Sequence, residues 1–286
     1  MNRIVVLVFL FTIAFSSCNK GVDVVKESVP ALNIKDVAYG SDAAQKMDVY
    51  LPAGRIATTT KVLVFIHGGS WSSGDKSDFN EGITAILPKL TNYAIVNINY
   101  RLANSGTNRF PIQMTDIQSA LDFVKSKGTE YMVDANKVGL IGASAGAHLA
   151  LLQAYKFNTD GRVKAVVDLF GPTDLNDLYF NHPFPTVTQP VLVNFLGTTP
   201  TINAALYQQA SPINFITPQS VPTQIFHGNL DIVNPISQSL ALKAKLQASN
   251  VKVEMITYTG EGHGWIGSNL LDTYNKAVTF IVQNVQ

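Results

Sequence analysis

The chain's 286 residues suit one large α/β domain, and an apolar content of 46% supplies a substantial core. Its 21 basic residues nearly balance 20 acidic ones, and charged residues make up only 14% of the whole. Nothing in this composition suggests a disordered or fibrous chain, and the charge balance gives no electrostatic case for nucleic acid as a partner, so a neutral small substrate fits better.

In chain order, Arg3 precedes the apolar run Ile4–Phe15, which Ser16 and Ser17 follow. Such a run spans roughly 18 Å as a helix, against about 30 Å for a bilayer core. Residues 1–17 are therefore expected to be an export signal rather than a membrane helix. Cys18 is the one cysteine in the chain, so no intramolecular disulfide is possible. A cysteine directly after an export signal resembles a bacterial lipobox. The resemblance implies lipidation at Cys18, a tether over residues 18–30, and an exported lipoprotein held to a membrane by that anchor alone.

From residue 31 onward, apolar β-rich runs alternate with helical patterns. The runs are Ile34–Tyr39, Met47–Leu51, Val62–Ile66, Ala94–Asn99, Val138–Ile141, Val163–Leu169, Thr223–Phe226 and Val251–Tyr258. Helical patterns cover Gly82–Leu90, Ile112–Lys127, Ala145–Tyr155, Ser237–Ser249 and Leu270–Asn284. In the second of these, Ile117, Leu121 and Val124 recur at spacings of four and three, which gives one apolar face. No helical pattern separates the first two strands, which reads as an antiparallel entry. The rest predicts a mostly parallel eight-stranded sheet with helices on both faces, the α/β-hydrolase fold, over residues 31–286. Residues 172–220 break the rhythm, with seven of the thirteen prolines and no Lys, Arg or Glu. A long irregular excursion of this kind is expected to act as a lid or to shape the substrate site.

The chemistry-bearing residues fall at strand ends. Val138–Ile141 runs into Gly142-Ala-Ser144-Ala-Gly146 and then a helix, the strand–turn–helix context of a nucleophile elbow. Small residues two positions either side of Ser144 let strand and helix approach closely. Val62–Ile66 runs into His67-Gly-Gly-Ser-Trp71, where glycines bring backbone N–H groups close to a substrate oxygen. The amides of Gly69, Ser70 and Ala145 are the candidate oxyanion hole. A serine hydroxyl needs a base, and the base needs an orienting carboxylate. Thr223–Phe226 leads to Asp231 and Val251–Tyr258 leads to His263, in the chain order Ser, Asp, His that this fold uses. Of the other histidines, His67 and His227 read as loop braces, His148 as packing one turn after the serine, and His182 as weakly placed in the excursion. Asp174 is the main rival acid, whereas Asp116 reads as a structural anchor. Trp71 and Trp265 flank the glycine loops as candidate substrate contacts. No His-x-x-x-His or clustered acidic pattern suggests a metal.

Asp48-Val-Tyr-Leu-Pro52, His67-Gly-Gly-Ser-Trp71, Asn99-Tyr-Arg-Leu102, Gly142-Ala-Ser-Ala-Gly146, Ser211-Pro212, His227-Gly228 with Asp231, and Gly262-His263 stand together. Jointly they resemble the bacterial esterase/lipase family with the His-Gly-Gly-x-Trp loop, in its Bacteroidetes feruloyl- and acetyl-esterase branch. The resemblance implies cofactor-free hydrolysis of small acyl or feruloyl esters, often carried on polysaccharides. It assigns Ser144, Asp231 and His263 to a catalytic triad. Asn234 departs from it, standing before Pro235 where valine is commoner. The same triad also serves arylformamidases, amidases and peptidases, and a non-catalytic binding lipoprotein is a further alternative.

Overall fold

The computed structural model describes residues 29–286; the expected export signal, Cys18 and most of the tether lie outside them. Eight strands form one sheet: β1 (Leu32–Ala38), β2 (Lys46–Leu51), β3 (Lys61–Ile66), β4 (Tyr93–Ile98), β5 (Val138–Ala143), β6 (Val163–Leu169), β7 (Thr223–Gly228) and β8 (Val253–Tyr258). Their spatial order is β1-β2-β4-β3-β5-β6-β7-β8. β1 and β2 pair antiparallel and β2 meets β4 antiparallel, as an entry without an intervening helix requires. From β4 onward every pair is parallel.

Parallel strands need helical crossovers, and these cover both faces. Helices α2 (Ile112–Ser126), α4 (Ala145–Tyr155) and α8 (Ser237–Ala248) pack on one face, where Ile117, Leu121 and Val124 are buried as their spacing predicts. Helices α1 (Asn80–Ile86) and α9 (Gly267–Asn284) cover the other, through Ile83, Ile86, Phe280 and Ile281. A one-turn helix, α3 (Gly128–Tyr131), links α2 to β5. The helix expected over Gly82–Leu90 stops at Ile86 and tightens into a 3-10 turn, Leu87–Lys89, containing Pro88.

The stretch 172–220 is helical rather than irregular. It carries α5 (Leu175–Asn181), α6 (Pro185–Leu196) and α7 (Ala204–Ala210), then a 3-10 turn at Pro212–Phe215. Its prolines punctuate the segment more than they prevent helix: Pro185 and Pro212 open their elements, where the missing N–H is no loss. Pro190 alone lies inside a helix.

The consequence for function is geometric. β3, β5, β6, β7 and β8 are neighbours and run the same way. Their C-terminal loops therefore emerge along one sheet edge, the place where open α/β sheets bind ligands.

Candidate active site

Ser144 is the single residue between β5 and α4, and its backbone sits at φ 52°, ψ −120°. That conformation costs a side-chain-bearing residue about 1–3 kcal/mol and survives only where its surroundings over-determine it. They do so here. The Ser144 N–H donates to the Leu169 carbonyl at 2.8 Å, and the Ser144 carbonyl accepts from the His148 N–H at 3.0 Å. A Cβ on Gly146 would lie 2.0 Å from the Ile66 carbonyl oxygen, and one on Gly142 would lie 2.3 Å from that of Gly146. Only glycine lets the helix start this close to the strands.

His263, beyond β8, places Nε2 2.9 Å from Ser144 Oγ and Nδ1 2.7 Å from Asp231 Oδ2. The carboxylate accepts a hydrogen bond from Nδ1–H, which fixes the tautomer and leaves the Nε2 lone pair facing the serine hydroxyl. Asp231, beyond β7, is fully buried at its side chain. Its Oδ1 accepts the Val233 and Asn234 amides at 2.8 and 2.9 Å, and its Oδ2 also meets His227 Nε2 at 3.2 Å. Burial alone would push this carboxyl up. The hydrogen bonds from His227 and His263, the His263 charge and the Asn234 amide outweigh it and hold Asp231 well below the usual carboxylate range.

The rival residues are committed elsewhere. Asp174 caps α5, accepting the Asn176 and Asp177 amides at 3.0 Å each. Asp116 binds Arg101 and the Gln45 side chain. His227 donates from Nε2 to the Asn234 carbonyl at 2.8 Å and accepts at Nδ1 from Ser239 at 2.7 Å. His67 stacks on Tyr100 with ring centroids 4.4 Å apart and donates from Nδ1 to the Gly68 carbonyl. His148 accepts the Trp71 indole N–H at Nδ1 and donates from Nε2 to the Ala210 carbonyl. Burial pushes the His148 imidazole down to about 4, so it stays neutral in this bridge.

Gly69, Ser70 and Trp71 all have positive φ, at 102°, 52° and 58°. The Gly69 carbonyl is turned toward Ser72 and Ser73, whose amides reach it at 3.0 and 2.9 Å. A trans peptide points its N–H opposite its C=O, so the Ser70 amide faces away from that turn. The loop touches the elbow: a Cβ on Gly68 would be 3.4 Å from the Ser144 Cβ. Ala145 opens α4, where its N–H has no intrahelical acceptor.

A cavity of about 340 Å³ adjoins these groups, lined by Ser70, Ser144 and Ala145 on one side. Leu178, Phe184, Val187, Val191 and Leu192 of the excursion, with Ile232 and Val233 of the acid's loop, form its apolar walls. Trp71 belongs to the lining and stacks on Phe195 at 4.3 Å. Trp265 does not reach this cavity. It is buried, donates to Thr273 Oγ1 at 2.8 Å, and packs edge-on to Phe170, whose ring meets His263 at 4.7 Å. The expectation that Trp265 contacts substrate is corrected to a brace behind the histidine. Sequence reading passed over Phe170 and gave His182 little weight, yet His182 lines the cavity.

The BD-FAE family model matches residues 47–246. This chain belongs to the BD-FAE family. Among curated proteins, this BD-FAE chain is similar to esterase LipC of Mycobacterium tuberculosis, 29% identical over 255 residues, spanning 82% of this chain and 60% of LipC. It is 31% identical over 218 residues to the probable carboxylic ester hydrolase LipM of the same organism, spanning 71% of this chain and 49% of LipM. It thus spans about half to three fifths of the length of these relatives. Of solved structures, a bifunctional GH43-CE protein of Bacteroides eggerthii superposes with a TM-score of 0.78 at 26% identity, over 89% of this chain and 35% of that one. A truncated carbohydrate esterase from gut microbiota shares the fold, with a TM-score of 0.74 at 24% identity over 90% and 98% of the two chains. The BD-FAE sheet described above is that of the α/β-hydrolase fold.

Proposed function

We propose that this protein is a serine carboxylic-ester hydrolase working through an acyl-enzyme at Ser144. The observation that carries the reading is the unbroken run of hydrogen bonds from Ser144 Oγ through His263 to the buried Asp231. Ser144 Oγ attacks the ester carbonyl carbon while its proton passes to His263 Nε2. The amides of Gly69, Ser70 and Ala145 hold the resulting oxyanion, each such donor typically contributing about 3–4 kcal/mol to the barrier. Collapse breaks the acyl–oxygen bond as His263 returns the proton to the departing alcohol. Water, deprotonated by His263, then releases the acid and restores Ser144. Asp231 keeps its charge throughout, fixing the imidazole tautomer and stabilising the imidazolium.

The substrates proposed are short acyl or feruloyl esters on small molecules or polysaccharides. The uncharged cavity beside Ser144 supports this reading, as does the similarity to a protein named as a carbohydrate esterase. Trp71 is the aromatic of the two tryptophans that meets the substrate. Export and lipid anchoring through Cys18 complete the proposal, and a Cys18→Ser protein is expected in the soluble fraction; continued membrane partition would refute the anchor.

The test is purified protein against acetyl, butyryl, octanoyl and feruloyl esters, with Ser144→Ala as control and a fluorophosphonate as covalent label. Serine-dependent turnover with labelling at Ser144 is expected. Labelling without ester turnover would redirect the chemistry to formamides or peptides, and no labelling would leave a binding protein.

A further inference from the structure

His182 opens the connection from α5 to α6, in the sequence His182-Pro-Phe-Pro185. Both prolines fix φ, so the chain is stiff on either side of Phe184. The His182 ring is 6% exposed and uses both nitrogens. The Phe184 N–H donates to Nδ1 at 2.9 Å. Nδ1 therefore carries no proton, Nε2 does, and it donates to the Val233 carbonyl at 3.2 Å.

This bond crosses the cavity from one wall to the other. Phe184 and Val187 stand on the excursion side, while Ile232 and Val233 stand on the acid's loop. All four are large apolar side chains left 49–66% exposed around the half-buried Ser144. Among the described residues, no other hydrogen bond joins the segment 172–220 to residues 230–234. His182 is also the one ionisable ring in a lining that holds no Asp, Glu, Lys or Arg.

We infer that His182 is a specificity-determining positioning residue: it latches the two apolar walls at the separation that grips the bulky, uncharged, apolar part of an ester. The inference rests on the proposed esterase reading of Ser144. A methyl group leaves most of such a cavity unfilled and touches neither wall. An octanoyl chain spans it and gains apolar contact with Phe184, Val187, Ile232 and Val233, provided the walls are held together. The latch ends on the carbonyl of the Val233–Asn234 peptide, whose N–H also serves Asp231. A purely structural role would thus damage the acid and slow every ester alike.

The experiment measures kcat and KM for acetyl and octanoyl esters in the parent, His182→Ala and His182→Gln. Glutamine offers an acceptor oxygen and a donor nitrogen in place of the ring's pair. His182→Ala is expected to lower the octanoyl-to-acetyl ratio of kcat/KM at least tenfold, mainly through KM, and His182→Gln to restore most of it. An unchanged ratio, or equal losses on both esters, would overturn the inference. A second readout is independent of turnover: octanoate binding to the Ser144→Ala protein, followed by quenching of Trp71 in the cavity wall. His182→Ala is expected to weaken that binding at least tenfold. If the parent hydrolyses no ester yet octanoate binding still depends on His182, the esterase reading fails and the latch stands. If esters are hydrolysed but neither readout responds to His182, the latch alone fails.

Discussion

Replacing Asp231 with asparagine keeps the shape of the acid and removes its charge. Four donors converge on the native carboxylate: His263 Nδ1, His227 Nε2 and the Val233 and Asn234 amides. The asparagine oxygen can still accept the two backbone amides, since both bind Oδ1. Its NH₂ group then faces two imidazole nitrogens that both carry protons in the native state. His263 can make peace with it only by moving its proton to Nε2, which points at Ser144 Oγ. The ring in that tautomer donates to the serine and cannot take its proton. Loss of the correct tautomer in a Ser-His-Asp hydrolase lowers kcat about 10⁴-fold, equivalent to about 5 kcal/mol of barrier. The accompanying loss of charge-assisted hydrogen bonds costs about 1–3 kcal/mol of folding stability. Initial rates on a butyryl ester, with urea unfolding to separate inactivity from unfolding, measure both effects. Asp174→Asn is the control, because asparagine caps a helix as well as aspartate and should leave rates within about threefold. A folded Asp231→Asn protein within tenfold of the parent, or a comparable loss at Asp174→Asn, would refute the assignment of the acid.

Other consequences follow from the same geometry. Gly146→Ala should destabilise the fold by about 3 kcal/mol, because its Cβ would meet backbone oxygens at 2.0 and 2.3 Å that no side-chain rotation can clear; calorimetry showing a loss under 1 kcal/mol would contradict the close approach. His148, neutral and pushed down to about 4 by burial, has an unfolded value near 6.5, so the unfolded chain binds the extra proton between those limits. Its contribution of about 3 kcal/mol is present above pH 6.5 and lost as the pH falls through 4, with most of it gone by pH 4.5. His148→Gln, able to accept from Trp71 and donate to Ala210, should remove that part of the slope. Urea denaturation of both proteins at pH 7 and 4.5 checks it, and a constant stability difference between them would exclude the effect.

The elbow was legible because its demands are local. Gly142 and Gly146 must be small wherever a strand turns straight into a helix, so the sequence around Ser144 declares the geometry by itself. Asp231 and His263 were legible through their strands, since residues just past the C-terminal ends of parallel neighbours share an edge. The excursion was not legible in this way. Its prolines suggested irregular chain, yet Pro185 and Pro212 sit at first positions of elements, and a count cannot tell a helix start from a helix break. Residues whose roles depend on how that segment packs back onto the sheet could not be read from spacing. His182 meets Val233 across 51 positions, and no motif announces the pairing. Trp265 was misread for the converse reason: its proximity to Gly264 in sequence suggested the cavity, whereas its indole turns toward Thr273 and Tyr258 in the interior.

This division between local and long-range information corresponds to a division of labour. The strained Ser144 backbone is held by contacts to the sheet and its first helix: the Leu169 carbonyl, the His148 amide and the approach of Gly146 to Ile66. Those restraints belong to β3, β5, β6 and α4, at the centre of the sheet. The apolar wall over Ser144 belongs instead to α5 and α6, joined to the acid's loop, among the described residues, by the hydrogen bond from His182. The proposed chemistry thereby rests on the central strands, and the proposed selectivity on the excursion packed over them. Changes at Phe184 or Val187 can alter which ester is accepted without touching the atoms that hold Ser144, Asp231 and His263 in line, which is why selectivity variants should cluster in the excursion and inactive variants along the sheet edge.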